Sequence, residues 1–230
     1  MTFADKVIQF NKQLTYTGPA LPTGIRIMNP FKEFTQTIEI ASAFYHKYYN
    51  DNNERHIILG INPGRFGGGV TGIPFTDPKR LAAECNISYE GKAVHEVSSV
   101  FVYEVINAYG AEAFYKKFYI NSLCPLGFTK IDGNGKETNY NYYDSKELQT
   151  TLTGFIIENI NKQIALGVNT DVCFCFGTGK NENFLRRLNN EHGFFKRIIA
   201  LEHPRFIMQY KTASKQFYID KYLAAFQEAE

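Results

Sequence analysis

Residues 56–75 read H-I-I-L-G-I-N-P-G-R-F-G-G-G-V-T-G-I-P-F. The first six are a near-continuous apolar run rich in isoleucine that stops at Asn62-Pro63-Gly64, the pattern of a buried strand ending in a turn. Three further runs have the same character: residues 118–123 (F-Y-I-N-S-L), residues 172–176 (V-C-F-C-F) and Arg197–Leu201 (R-I-I-A-L). Helical periodicity fills the intervals. It covers residues 31–49 before the first run and Val97–Tyr109 before the second. Residues 145–166, with Asp144 as candidate N-cap, precede the third, residues 181–188 precede the fourth, and residues 214–225 close the chain. Strands that alternate with helices and are near-continuously apolar predict a parallel sheet covered on both faces, an α/β/α sandwich.

The chain has 230 residues, the size of one domain with a well-covered core, and we read residues 1–230 as a single domain. Hydrophobic residues are 44% and charged residues 21%, the balance of a globular chain rather than a disordered one. A net charge of +2 permits a nucleic-acid partner through a local basic face without demanding one. The four cysteines form no C-x-x-C pair, and Cys173 and Cys175 share one face of a predicted strand as small hydrophobes. His46, His56, His95 and His192 show no metal-ligand spacing, so we expect no metal site. No apolar run approaches a membrane span, and we expect a monomer in the cytoplasm, at the nucleoid of a bacterium. Residues 127–144 stand apart: they are too polar and glycine-rich for a core element, D-G-N-G reads as a hairpin or loop tip, and loops this long are commonly functional or mobile.

In parallel α/β folds ligands bind beyond the carboxyl ends of the strands, so the residues there should converge. They are Asn62-Pro63-Gly64 and the glycine-rich loop to Phe75; Asn121 within the second run; Gly177-Thr178-Gly179-Lys180 after the third; and Glu202-His203-Pro204-Arg205 after the fourth. Each piece alone has an ordinary explanation. N-P-G is a common turn, a single histidine is usually structural, and a strand amide can simply satisfy backbone groups. Gly177–Lys180 lacks the G-x-x-x-x-G-K-[ST] spacing, which argues against nucleotide hydrolysis. Only Cys124 or Ser122 could serve as a nucleophile there.

Taken in order, these segments resemble the single-strand-selective monofunctional uracil-DNA glycosylases. Residues 60–75 are similar to that family's first motif, G-M-N-P-G-P-F-G-x-x-x-T-G-V-P-F. I-M-N-P-F at residues 27–31 resembles its N-terminal segment, and Glu96-Val97-Ser98-Ser99 resembles its E-V-S-G. N-S-L-C-P-L at residues 121–126 resembles N-L-C-P-L, F-G-T-G-K-N at residues 176–181 resembles V-G-V-G-R, and His203-Pro204 resembles the start of H-P-S-P-R. The likeness spans residues 25 to 225. Arg65 replaces the family's proline, and R-F-I-M-Q-Y follows His203-Pro204 where the family has S-P-R-N-P, so the chain resembles a divergent bacterial branch. Arg205 falls either at the family's serine or, with a two-residue shortening, at its helix-invading arginine.

The resemblance implies a uracil-DNA glycosylase fold with a four-stranded, mainly parallel sheet, and monofunctional release of damaged bases from DNA without a cofactor. Implied roles are water positioning for Asn62 and a hydrogen bond to the departing base for His203. Phe75 would stack on the base and Asn121 would read its edge, with Gly60 and Ile61 lining the pocket and Gly64 leaving room beside C5. Arg65, Lys180, Arg205, Phe206 and Lys211 are the candidate DNA contacts; Arg186 and Arg187 read as a solvated helix face. Xanthine offers the same edge as uracil, so a purine-preferring glycosylase stays open, as does a module of the same fold that binds DNA without catalysis.

Overall fold

The computed structural model describes residues 1–91 and 94–229. Along the chain the elements are α1 (Phe3–Gln13), β1 (Ile25–Met28), α2 (Pro30–Glu33), α3 (Thr37–Tyr49), β2 (Arg55–Gly60), α4 (Gly68–Thr71), α5 (Pro78–Cys85), α6 (Val97–Tyr109), α7 (Ala111–Lys117), β3 (Phe118–Ser122), β4 (Gly127–Ile131), β5 (Glu137–Tyr140), α8 (Lys146–Ile164), β6 (Val168–Phe176), α9 (Lys180–His192), β7 (Arg197–Leu201), α10 (Pro204–Tyr210) and α11 (Lys215–Gln227). The four apolar runs form one sheet in the order β3-β2-β6-β7, and all three pairings are parallel.

Strand alternation decides what packs on each face. Phe118, Phe174 and Phe176 meet Tyr222 and Phe226 of α11, with Phe101 of α6 behind them. Tyr119, one residue on from Phe118, points the opposite way and meets Phe3 of α1 and Tyr45 and Tyr49 of α3. Helices therefore cover both faces, as the apolar strands require.

Arg55 starts β2 with its side chain fully buried. Its guanidinium donates to Tyr115 O (2.7 Å), Asn53 O (3.0 Å) and Asp51 Oδ2 (2.9 Å), and lies between the rings of Phe3 and Tyr49. Every hydrogen-bonding edge that the fork presents inward is used, which is how a buried cation is tolerated.

Several boundaries differ from the sequence reading, each for a local reason. The helix expected over residues 31–49 is two helices, because Asn29 caps α2 and the Phe34 N–H closes it on Pro30 O. Ser145, not Asp144, caps α8 by accepting from the Leu148 N–H; the Asp144 carboxylate instead accepts from the Asn141 N–H. Residues 127–144 are not a loop: β4 and β5 form a hairpin, and β4 pairs with β1, giving a second, antiparallel sheet in the order β1-β4-β5. The expected tip at D-G-N-G holds, with the Asp132 carboxylate accepting from the Asn134 and Lys136 N–H groups. Phe128 and Tyr142 in that polar stretch are fully buried, so it does contribute to the core.

Candidate active site

The chain leaves β2 toward β3 on one side and leaves β6 toward β7 on the other, although β2 and β6 are neighbours. The loops beyond their carboxyl ends diverge there and open a crevice. A cavity of about 260 Å³ occupies this position, lined by Ile61, Asn62, Gly64, Phe75, His203, Arg205 and Phe206 among others. Residues from the ends of β2, β3 and β7 thus come together, whereas residues 177–180 after β6, also expected there, do not line the cavity.

The second sheet fixes Asn62. Its Oδ1 accepts from the Tyr142 N–H at 3.0 Å, and its amide nitrogen donates to Tyr140 O at 3.3 Å. The same nitrogen also donates to Pro63 O at 3.4 Å, so both N–H bonds are used and only the oxygen keeps a lone pair for a further partner. The next turn is held the same way, by the Arg65 N–H donating to Asn139 Oδ1 at 3.0 Å.

His203 caps α10: its Nδ1 accepts from the Arg205 backbone N–H at 3.1 Å. A backbone N–H can only donate, so in the neutral ring the proton lies on Nε2. Burial, reinforced by the Arg205 guanidinium, pushes its pKa down to about 4, and the ring is a neutral donor at pH 7. Phe75 lies 5.7 Å from the His203 ring and 5.7 Å from that of Phe176. Its backbone has φ +53°, a left-handed conformation that costs a bulky residue energy and marks a position held by its surroundings. Gly60 makes that placement possible, because a Cβ there would meet the Phe75 ring at 2.8 Å.

Asn121 does not join this cluster. It is buried, with its amide nitrogen donating to the Tyr119 hydroxyl (2.7 Å) and its oxygen accepting from the Ser122 N–H (2.8 Å). It lines a separate crevice of about 20 Å³ that shares Pro63, Gly68 and Pro74 with the main cavity. Arg65, Lys180 and Lys211 also lie off the lining: Arg65 faces Glu137 at 3.9 Å, and Lys180 sits 5.7 Å over the Tyr143 ring. Of the two candidate nucleophiles, Cys124 is fully buried with its thiol pKa pushed far up by desolvation, and Ser122 enters the cavity wall at the end of β3.

Some lining residues escaped the sequence reading. Asn139, Asn141 and Tyr143 come from the hairpin segment, and Gln209 and Tyr210 from α10. The unusual polarity of residues 127–144 was their only signal. Tyr210 is 71% exposed and its ring lies 5.6 Å from that of Phe206, an aromatic pair at the cavity mouth. Glu96 also lines the cavity. A Cβ on Gly64 would come 2.9 Å from Glu96 Oε1, so the space beside Gly64, expected to be open, is faced by a carboxyl group. Burial, with Asp77 as a like charge nearby, pushes the Glu96 pKa up to about 7.

Among the described residues no group of side chains could hold a metal ion, and no helix is long and apolar enough to cross a membrane. No curated protein matches the chain. A solved structure of SMUG2 from Pedobacter heparinus is 72% identical over 100% of this chain and 98% of that one, with a TM-score of 0.98. The model of the Uracil DNA glycosylase superfamily matches residues 46–227. With the parallel sheet and the cavity at its switch point, these matches place the chain in the uracil-DNA glycosylase superfamily, as a SMUG-like glycosylase.

Proposed function

We propose that the protein is a monofunctional DNA glycosylase that hydrolyses the N-glycosidic bond of uracil and related deaminated or 5-modified bases, in base excision repair. The observation that carries this reading is the meeting of Asn62, Phe75 and His203 at one cavity, each already oriented by the fold.

A base within a duplex is out of reach, so the nucleotide must be extruded or taken from a single strand. Phe75 offers a ring face at the cavity, and base–aromatic stacking contributes about 1–3 kcal/mol. Breaking the bond puts negative charge on the base and positive character on the sugar. The Nε2–H of neutral His203 donates to the base as that charge grows, a type of contact worth about 2.7–4 kcal/mol. Asn62, held by Tyr140 and Tyr142, presents its remaining lone pair to the attacking water. An amide does not take a proton, so it orients the water rather than activating it.

Asn121 reads the base edge through the crevice beside the cavity. Tyr119 and Ser122 fix which end of its amide is donor and which is acceptor, the requirement for telling uracil from cytosine. Phe206 and Tyr210 flank the mouth as stacking surfaces, and Arg205, Lys211, Lys180 and Arg65 supply cations for phosphates. The site needs no cofactor and, with no lysine among the lining residues to form a Schiff base, no lyase step follows.

The test is base release from uracil-containing single- and double-stranded oligonucleotides. Wild type should free uracil, and Asn62→Ala and His203→Ala should each lower the single-turnover rate by about two orders of magnitude or more. A wild-type protein that releases no damaged base, including xanthine, hypoxanthine and 5-hydroxymethyluracil, would overturn the reading.

A further inference from the structure

Glu96 is placed with more care than its chemistry as a surface residue would need. It stands at the N-cap position of α6, where a short polar side chain normally turns back onto free backbone N–H groups. It makes no such bond. Its own backbone is pinned instead: the Glu96 N–H donates to Asp77 Oδ2 at 2.7 Å, and the Ser99 hydroxyl (2.8 Å) and His95 Nδ1 (3.0 Å) gather on the same oxygen. Asp77 is completely buried and also accepts from the Arg80 N–H through its other oxygen, so the anchor is rigid.

The glycine loop is shaped around the carboxyl group that this anchor presents. A Cβ on Gly67 would lie 1.9 Å from Glu96 Oε2, and one on Gly64 2.9 Å from Oε1. No side chain larger than hydrogen fits at residue 67 while Glu96 is in place. Among the described residues, neither carboxyl oxygen accepts a hydrogen bond, yet the side chain lines the cavity that holds Asn62 and His203. Arg205 is the cation that acts on it, Asp77 is the anion that opposes its ionisation, and His203, Tyr143 and Tyr210 are the other titratable groups on the cavity wall.

We propose that Glu96 is a second catalytic donor of this site, holding its proton in the cavity and sharing it in a hydrogen bond with the base as the glycosidic bond breaks. The inference rests on the glycosylase reading. The bond to C1′ breaks with its electron pair on the base, water oxygen bonds to C1′, and a proton from that water, passed through solvent, neutralises the base. The Glu96 proton ends where it began. An ionised carboxylate would do the reverse, because a second negative charge in the same cavity opposes the charge that the base acquires. Burial and Asp77 keep the group protonated up to about pH 7. The same donor suits an acceptor edge on a purine as well as a carbonyl on a pyrimidine.

The experiment is single-turnover release of uracil from a single-stranded oligonucleotide between about pH 6 and 8.5, by wild type and by Glu96→Gln, whose amide donates at every pH. Wild-type rates should fall about tenfold per unit above about pH 7, whereas the Glu96→Gln rate should stay level across the range. An infrared titration of the carboxyl band lost in Glu96→Gln should give the same midpoint and needs no turnover. A level wild-type profile, or the same fall in Glu96→Gln, overturns the assignment while leaving the glycosylase reading intact. Absence of release by wild type at every pH defeats the glycosylase reading itself.

Discussion

At the scale of single residues, the site works by fixing donors before a substrate arrives. His203 is the clearest case, since one backbone N–H sets its tautomer and its neighbours keep it uncharged. In an NMR titration its ring should therefore protonate near pH 4, far below free histidine, and the activity of Glu96→Gln, free of the carboxyl titration, should show no loss or gain near pH 6.5. A ring that titrates at 6.5 would contradict the neutral-donor role. Gly67 gives a second prediction. Gly67→Ala forces the Glu96 carboxyl out of its seat. Release of uracil should fall roughly tenfold or more, as for the loss of a positioned donor. In a Glu96→Gly background the same change should have little effect, and equal effects in both backgrounds would show that the two residues are not coupled.

At the scale of elements, the antiparallel hairpin is what the site most depends on and what the sequence showed least clearly. Asn62 and the four parallel strands were legible because apolar runs ending in turns have a distinct period and composition. D-G-N-G marked a hairpin or loop tip, but the sheet built on it was not legible, because β5 (E-T-N-Y) is polar and half-exposed and β1, the other partner of β4, lies about a hundred residues earlier. Strand pairing at that separation leaves no local periodicity to read. Asn121 was legible as a strand amide, but its turn toward Tyr119 follows from side-chain alternation on β3 and not from the motif. Glu96 was visible only as part of E-V-S-S, and its burial depends on the glycine loop folding over it. The hairpin's own anchor is testable. The Tyr142 hydroxyl donates to Asn181 Oδ1 at 2.8 Å, and both residues are buried. Tyr142→Phe leaves that oxygen unpaired, at a cost of about 1–3 kcal/mol, which lowers Tm by roughly 5 °C. Thermal unfolding that matches wild type would show the contact to be idle.

For the whole molecule, stability and function meet in the two perturbed groups of the cavity. His203 has its folded pKa lowered, so its contribution is complete above pH 6.5 and is lost as pH falls toward about 4. Glu96 has its folded pKa raised, so its contribution is complete below about 4.5 and is lost as pH rises through about 7. Glu96→Gln should then be more stable than wild type at pH 8, by up to about 3 kcal/mol for a half-buried group, and no more stable at pH 4.5. Denaturant unfolding at the two pH values decides it, and a stability difference independent of pH would refute the assignment. Far from the cavity, Arg55→Ala removes the cation that ties β2 to Tyr115, Asn53 and Asp51, and should lower stability by about 3–5 kcal/mol.

The antiparallel sheet also changes what counts as part of the site. Residues 25–28 touch no wall of the cavity, yet they pair with β4, β4 pairs with β5, and Tyr140 at the end of β5 carries the carbonyl that steadies Asn62. The chain's first strand is thus a buttress, acting through two strands on one amide. It lies before residue 46, where the superfamily match begins. A protein trimmed to the matching stretch would keep Asn62, Phe75 and His203 and lose the brace that aims the first of them.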